Sequence, residues 1–207
     1  MTEISVPLSQ GFLASAGLII AIGTQNAFVL SQGLTRKFNL LIATICCTTD
    51  ALLITAGVLG MGLLISENPG LLLIAALGGG LFLTIYSLKA LHSAFYSGAL
   101  DASERALPDV KAAILTTYAI TLLNPHVYLD TIILIGSIAQ QFSGDLRVAF
   151  AIGASLSSFV FFFSLSYGAK LLAPIMQNPN SWRILDGVIA IIMFSIAFKL
   201  AVEGNWL

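Results

Sequence analysis

Residues 114–138 read ILTTYAITLLNPHVYLDTIILIGSI, and Asp130 is the one residue among them with a formal charge at neutral pH. At 1.5 Å per helical residue, such a stretch spans about 37 Å, more than the roughly 30 Å hydrocarbon core of a bilayer. It reads as a membrane-crossing helix, interrupted near its middle by Asn124-Pro125. The rest of the chain follows suit. Of its 207 residues, 57% are hydrophobic and 9% charged, whereas a soluble domain carries about 25% charged residues. There is too little charge to coat a water-facing surface, so the apolar side chains face lipid. The net charge of −1 gives no reason to expect nucleic acid or an acidic partner.

Six stretches have the length and composition of a span: Leu8–Leu34, Leu40–Ile65, Leu71–Leu91, Ile114–Ile138, Val148–Ala173 and Ile184–Val202. Turn-forming residues separate them, and the longest break, from Ser97 to Lys111, reads as a solvated loop. Trp182 and Trp206 bracket the sixth span at the separation of two interfacial belts, about 36 Å. Met1 to Pro7 contains Glu3 and no Lys or Arg. The basic region of a cleaved signal peptide is thus missing, and the first apolar run is expected to be retained.

Basic residues set the expected orientation. Arg36, Lys37, Lys89, Arg105, Lys111, Lys170 and Arg183 fall at the first, third and fifth connections; only Arg147 and Lys199 fall on the other side. The bias places those three connections in the cytoplasm and both termini outside. Gln25-Asn26-Ala27-Phe28-Val29-Leu30 in span one resembles Asn124-Pro125-His126-Val127-Tyr128-Leu129 in span four. Gly79 to Lys89 loosely echoes Gly187 to Lys199. Three spans per half force the halves into opposite orientations. The expected fold is therefore all-α: about six transmembrane helices in a single domain, arranged as two inverted three-helix repeats. The repeats cover residues of about 6–96 and 111–207, with the cytoplasmic loop of about 97–110 between them.

The polar exceptions carry the chemistry. Pro125 cannot donate to the carbonyl of Thr121, and Asn124 is suited to cap a new half-helix. Read alone, Asn-Pro fits an ordinary proline kink as well as a true break. Gly23-Thr24 offers span one the same freedom, and a pair of broken helices would present exposed amides able to hold a carboxylate. Asp50 lies at the centre of span two among Cys47, Thr48, Thr49 and Thr55. A carboxylate at that depth costs roughly 2.5–3.5 kcal/mol, so it calls for a polar cavity, a cation or a proton, or else a structural bond to a neighbouring helix. Asp130 repeats the theme in span four, sharing a helix face with His126.

Every Lys and Arg lies near a span end, so the missing positive charge is the cargo, a proton, or both. His126 is a candidate proton relay or a packing residue; one His beside one Asp is too thin a set for a metal site. No cofactor is expected. Adjacent Cys46 and Cys47 read as packing residues, which argues against a membrane redox enzyme. Asp186, at the start of span six, reads equally as a first-turn charge or a site residue. Gly57, Gly60, Gly62, Gly78–Gly80 and Gly153 to Ser157 suggest close helix packing.

Gly23-Thr24-Gln25-Asn26-Ala27-Phe28-Val29-Leu30-Ser31-Gln32-Gly33, Asp50 and Asn124-Pro125-His126-Val127-Tyr128-Leu129-Asp130-Thr131 together resemble the lysine/arginine exporter family. The resemblance runs over essentially the whole chain, and the second motif looks closest to the arginine-exporter branch. It implies a bacterial inner-membrane carrier that moves basic L-amino acids outward, driven by protons or the membrane potential, as an antiporter would be. By position, Gln25, Asn26, Asp50, Asn124, Pro125 and Asp130 fall on the family's motif as substrate-binding candidates. Asp50, His126 and Asp130 are the candidates for proton coupling. Members usually carry Gly-Pro-Gln-Asn in span one, and here Thr24 stands in place of the proline. An exporter of a neutral amino acid or inorganic cation on the same scaffold is the alternative. A bundle this small leaves room for a homodimer, which no residue specifies.

Overall fold

A computed structural model describes residues 2–20, 23–61, 69–96, 106–172, 174–175 and 178–203, and every element among them is helical. Helix α1 is Thr2–Ile19 and α2 is Thr24–Thr35. Helix α3, Asn39–Ala56, continues into the wide turn Gly57–Met61. Helix α4 is Pro69–Tyr96, and α5 is Val110–Leu122. Helix α6 comprises Pro125–Tyr128, a wide-turned middle Leu129–Ile135, and Gly136–Ala139. Helix α7, Gly144–Gly168, tightens into a 3₁₀ turn, Ala169–Leu172, and α8 is Pro179–Glu203.

Asn39–Gly60 and Gly144–Leu172 are each long and apolar enough to cross a bilayer unbroken. Ile4–Ile19 with Thr24–Thr35, and Val110–Leu122 with His126–Ala139, reach that length only as pairs, bent by 82° and 65°. The first and fourth apolar runs are thus broken helices. The kink reading of Asn124-Pro125 gives way to a break, because Leu123 and Asn124 leave the helix before α6 begins. Span six starts at Pro179, earlier than its apolar run suggested, which moves Asp186 from the first turn to the helix interior. The side chain of Trp182, and Trp206 with most of the loop between Ser97 and Lys111, lie outside the described residues, as does Gly62.

Burial is distributed as lipid requires. Leu13, Leu52, Leu59, Leu81 and Ile191 are each more than 60% exposed on the outside. Thr24, Gln25, Asp50, Asn124, Thr121 and Ser158 are buried. Apolar groups outward and polar groups inward reverse the pattern of a water-soluble protein. The chain is an all-helical, multi-pass membrane protein.

Three of the four apolar clusters among the described residues tie several helices together. Phe28, Ile42, Cys46, Ile120 and Phe162 join α2, α3, α5 and α7. Ile54, Ile135, Phe150 and Ala154 join α3, α6 and α7. Ala27, Ala90, Ile189 and Met193 join α2, α4 and α8. Glycines permit very close approaches. A methyl group at Gly153 would clash with the backbone of Leu8, and one at Gly136 would stand 2.7 Å from the carbonyl oxygen of Gly57. Small residues let helices pack this tightly where lipid supplies no hydrophobic drive. Gly60 differs: its φ of 95° turns the chain after α3, with open space around it.

Candidate functional site

The two breaks face each other. At the first, Gly23 adopts φ −120° and ψ 177°, ending the connection from α1 and leaving Thr24 as the first residue of α2. At the second, Asn124 caps α6: its Oδ1 accepts from the backbone N–H of His126 at 3.2 Å. Its Nδ2 donates to Thr24 Oγ1 at 3.3 Å, so a single buried side chain links the breaks.

Each break is also braced from within. The Nδ2 of Asn26, on α2, donates back to the carbonyl of Ile19 on α1 at 2.6 Å. The hydroxyl of Tyr128, on α6, donates back to the carbonyl of Leu122 on α5 at 2.6 Å. A carbonyl released where a helix stops in a membrane needs such a partner. In both breaks, a side chain one turn into the second half-helix supplies it.

Against this junction lies one face of α3. Asp50 is 3% exposed, and its Oδ2 accepts from Ser158 Oγ of α7 at 2.8 Å. Its Oδ1 is buried without a partner, as are Gln25 Nε2 and Thr121 Oγ1. Gln25 and Thr121 face the thiol of Cys46, one turn from Asp50 on α3. Three orphaned polar atoms, on the first turn of α2, the last turn of α5 and the middle of α3, therefore meet in one layer. Buried polar groups are almost always paired, so such a concentration marks a place where something else completes the bonding.

Asp130 lies within electrostatic range of both Asp50 and His126, and it is only half-buried. It stands at the edge of this layer, at the start of the wide-turned stretch of α6. Pro125 begins α6, directly after its cap. The expected residues thus fall at one junction but differ in posture. Gln25 and Asp50 present orphaned atoms, Asn124 and Asn26 hold the breaks, and Asp130 and His126 sit peripherally.

Sequence reasoning did not single out Ser158, Thr121 or the tie to Thr24. Ser158 adjoins a small-residue run that reads as packing, and Thr121 enters only through its backbone carbonyl. Asp186 is no helix-end charge: buried on α8, it accepts from Ser93 Oγ of α4 at 2.7 Å.

A family model described as "LysE type translocator" matches residues 16–204 of the chain, a range that includes the whole junction. The chain belongs to the LysE type translocator family. It is a transporter and not an enzyme. A putative amino-acid transporter, YggA, from Aeromonas salmonicida is 44% identical over 93% of this chain and 94% of its own length. The arginine exporter protein ArgO of Photorhabdus laumondii is 42% identical over 94% of this chain and 95% of its own. ArgO of Salmonella typhimurium is 39% identical, covering 94% and 93%. No solved structure matches. Within this LysE-type chain, the glycine, amide and aspartate motifs are the segments that build the junction.

Proposed function

We propose that this protein exports cationic L-amino acids, arginine foremost and lysine by the same chemistry, across the bacterial inner membrane. The observation that carries the reading is the buried, unpartnered Oδ1 of Asp50 beside the orphaned amide of Gln25. An amino acid supplies both missing partners. A cationic group would pair with Asp50, as a charge-assisted bond that an aspartate in lipid otherwise lacks. The α-carboxylate would take Gln25 Nε2 and the first-turn amides of α2, whose N-terminus carries no side-chain cap. By contrast, Asn124 already caps α6 and serves as the strut between breaks.

Arginine fits better than a neutral amino acid because Asp50 and Asp130 together offer two acidic groups, with every Lys and Arg near a span end. A neutral cargo would leave more of that charge unpaired. The same pair, with His126, are the candidates for proton exchange, in an export driven by protons or the membrane potential. The relatives described as arginine exporters support the substrate.

The architecture is that of two inverted three-helix repeats. Spans one and four break and are braced alike, α3 packs on α7, and α4 packs on α8, as a swap of halves would require. Connections one, three and five face the cytoplasm and the termini lie outside, and the bundle is small enough to leave room for a homodimer. A neutral amino acid or an inorganic cation is the second reading for the same junction.

Efflux from cells loaded with labelled arginine, lysine or leucine tests the assignment. Arginine efflux should rise with expression, and Asp50→Asn should reduce it at least tenfold while the inserted protein persists. Full activity in Asp50→Asn would sink the mechanism; leucine efflux in place of arginine would sink the substrate.

A further inference from the structure

A second feature lies away from the junction, where the loop between α2 and α3 meets the 3₁₀ turn after α7. Here a cavity of about 700 Å³ is rimmed by Arg36, Lys37 and Lys170 and walled by Phe38, Leu40 and Tyr167. None of its described lining residues is acidic. Arg36 and Lys170 are exposed and have no ion-pair partner among the described residues. Lys37 lies over the Phe38 ring and donates to the carbonyls of Leu107 and Pro108 at 3.0 and 2.8 Å, and among the described residues it too has no carboxylate partner.

The rim is held, not loose. Asn39 Nδ2 donates to Gly33 O of α2 and to Ser166 O of α7, at 3.3 and 3.0 Å, fastening both ends to the start of α3. A methyl group at Gly33 would stand 2.6 Å from Ser166 O, so the two segments are in backbone contact. Two elements that each carry cations are thus clamped side by side around an apolar hollow.

From this arrangement we infer that the cavity is a binding site for an anionic phospholipid, phosphate between Arg36 and Lys170 and acyl chain against the apolar wall. Charge sign excludes the exported amino acid: a cationic cargo is repelled by three cations and meets no carboxylate among the described residues. A free anion would satisfy the cations but leave the apolar wall empty, whereas a lipid fills both. The site lies on connections one and five, where positive residues gather and anionic headgroups attract them. The inference rests on the chain being a membrane protein and, where it excludes the cargo, on the proposed cationic substrate.

The test uses full-length detergent-solubilised protein titrated with phosphatidylglycerol or phosphatidylcholine and read by native mass spectrometry. Wild type should retain phosphatidylglycerol at least tenfold more tightly. Arg36→Gln with Lys170→Gln should weaken that retention by about thirty-fold, at roughly five-fold per cation. Lys111→Gln with Arg183→Gln removes two cations from the same side of the protein, outside the cavity, and should change retention less than two-fold. Lys37 is left intact because its carbonyl bonds hold the fold.

Gel filtration and thermal unfolding establish that each variant is folded. Should the first variant not fold, Arg36→Gln and Lys170→Gln singly should each give about a five-fold loss. Equal retention of both lipids, equal loss in both double variants, or unchanged retention without Arg36 and Lys170 would each overturn the site. Displacement of the lipid by millimolar inorganic phosphate would overturn the lipid in favour of a free anion.

Discussion

At the scale of the residue, the junction turns on atoms that have no partner. Ser158 gives Asp50 one bond and leaves the other oxygen bare. Ser158→Ala should therefore orphan the whole carboxylate, lowering unfolding stability by about 1–3 kcal/mol, checked by thermal unfolding in detergent. Gln25 buries its Nε2 against the Cys46 thiol without a hydrogen-bond partner. Its replacement by Leu should leave stability within about 1 kcal/mol, since an unmet donor is removed. The same change should raise the arginine concentration for half-maximal efflux about tenfold, because a bond to the bound carboxylate disappears. Unchanged half-saturation would show that Gln25 does not touch cargo. Together the two variants separate a residue that supports the site from one that serves it.

At the scale of the element, span one shows that a break needs no proline. Thr24 stands where family members usually carry proline, yet α2 starts there at a steep angle to α1. The first position of a helix has an unmet N–H in any case, so proline is tolerated there but not required. Thr24→Pro should accordingly insert and keep the break, losing the bond that Asn124 makes to the hydroxyl. Efflux should fall no more than about tenfold, the upper end of the scale of one neutral hydrogen bond. An uninserted or inert variant would show that the Thr24–Asn124 tie, more than the break, governs the junction. Packing imposes the opposite intolerance. Gly153→Leu would drive a side chain into the backbone of Leu8, and it should abolish folded protein as judged by gel filtration.

At the scale of the whole molecule, sidedness is the open prediction. Ser143 and Asn178 are exposed on the connections before α7 and before α8, and the native thiols Cys46 and Cys47 are buried. With those thiols shielded, Ser143→Cys should label with an impermeant maleimide from outside intact cells. Asn178→Cys should label only after the membrane is opened. The reverse pattern would invert the orientation and move the basic cavity to the outer face. Labelling of both from one side would remove the inverted-repeat architecture itself.

Much of this was legible in the chain as a string of residues. Helical class, membrane setting and the polar positions follow from local chemistry: long apolar runs, scarce charge, Asn-Pro within a span and an aspartate at mid-depth. Those properties depend on a residue and its near neighbours, so a linear reading reaches them. The depth of the breaks was undecided, since Asn124-Pro125 alone fits a kink. The bends of 82° and 65°, with the braces from Asn26 and Tyr128 to carbonyls on the preceding helices, show separate half-helices. Ser158 and Thr121 have no local mark that distinguishes them from packing residues. Their meaning comes from partners 108 positions away in one case and from an orphaned hydroxyl facing Cys46 in the other. Likewise the basic residues on connections one and five were visible singly. Their convergence on one cavity needed the clamp of Asn39 between helices distant in the chain. Local sequence sets which groups must leave water; the fold decides which of them meet, because contact in a bundle depends on helix crossings that no single span encodes.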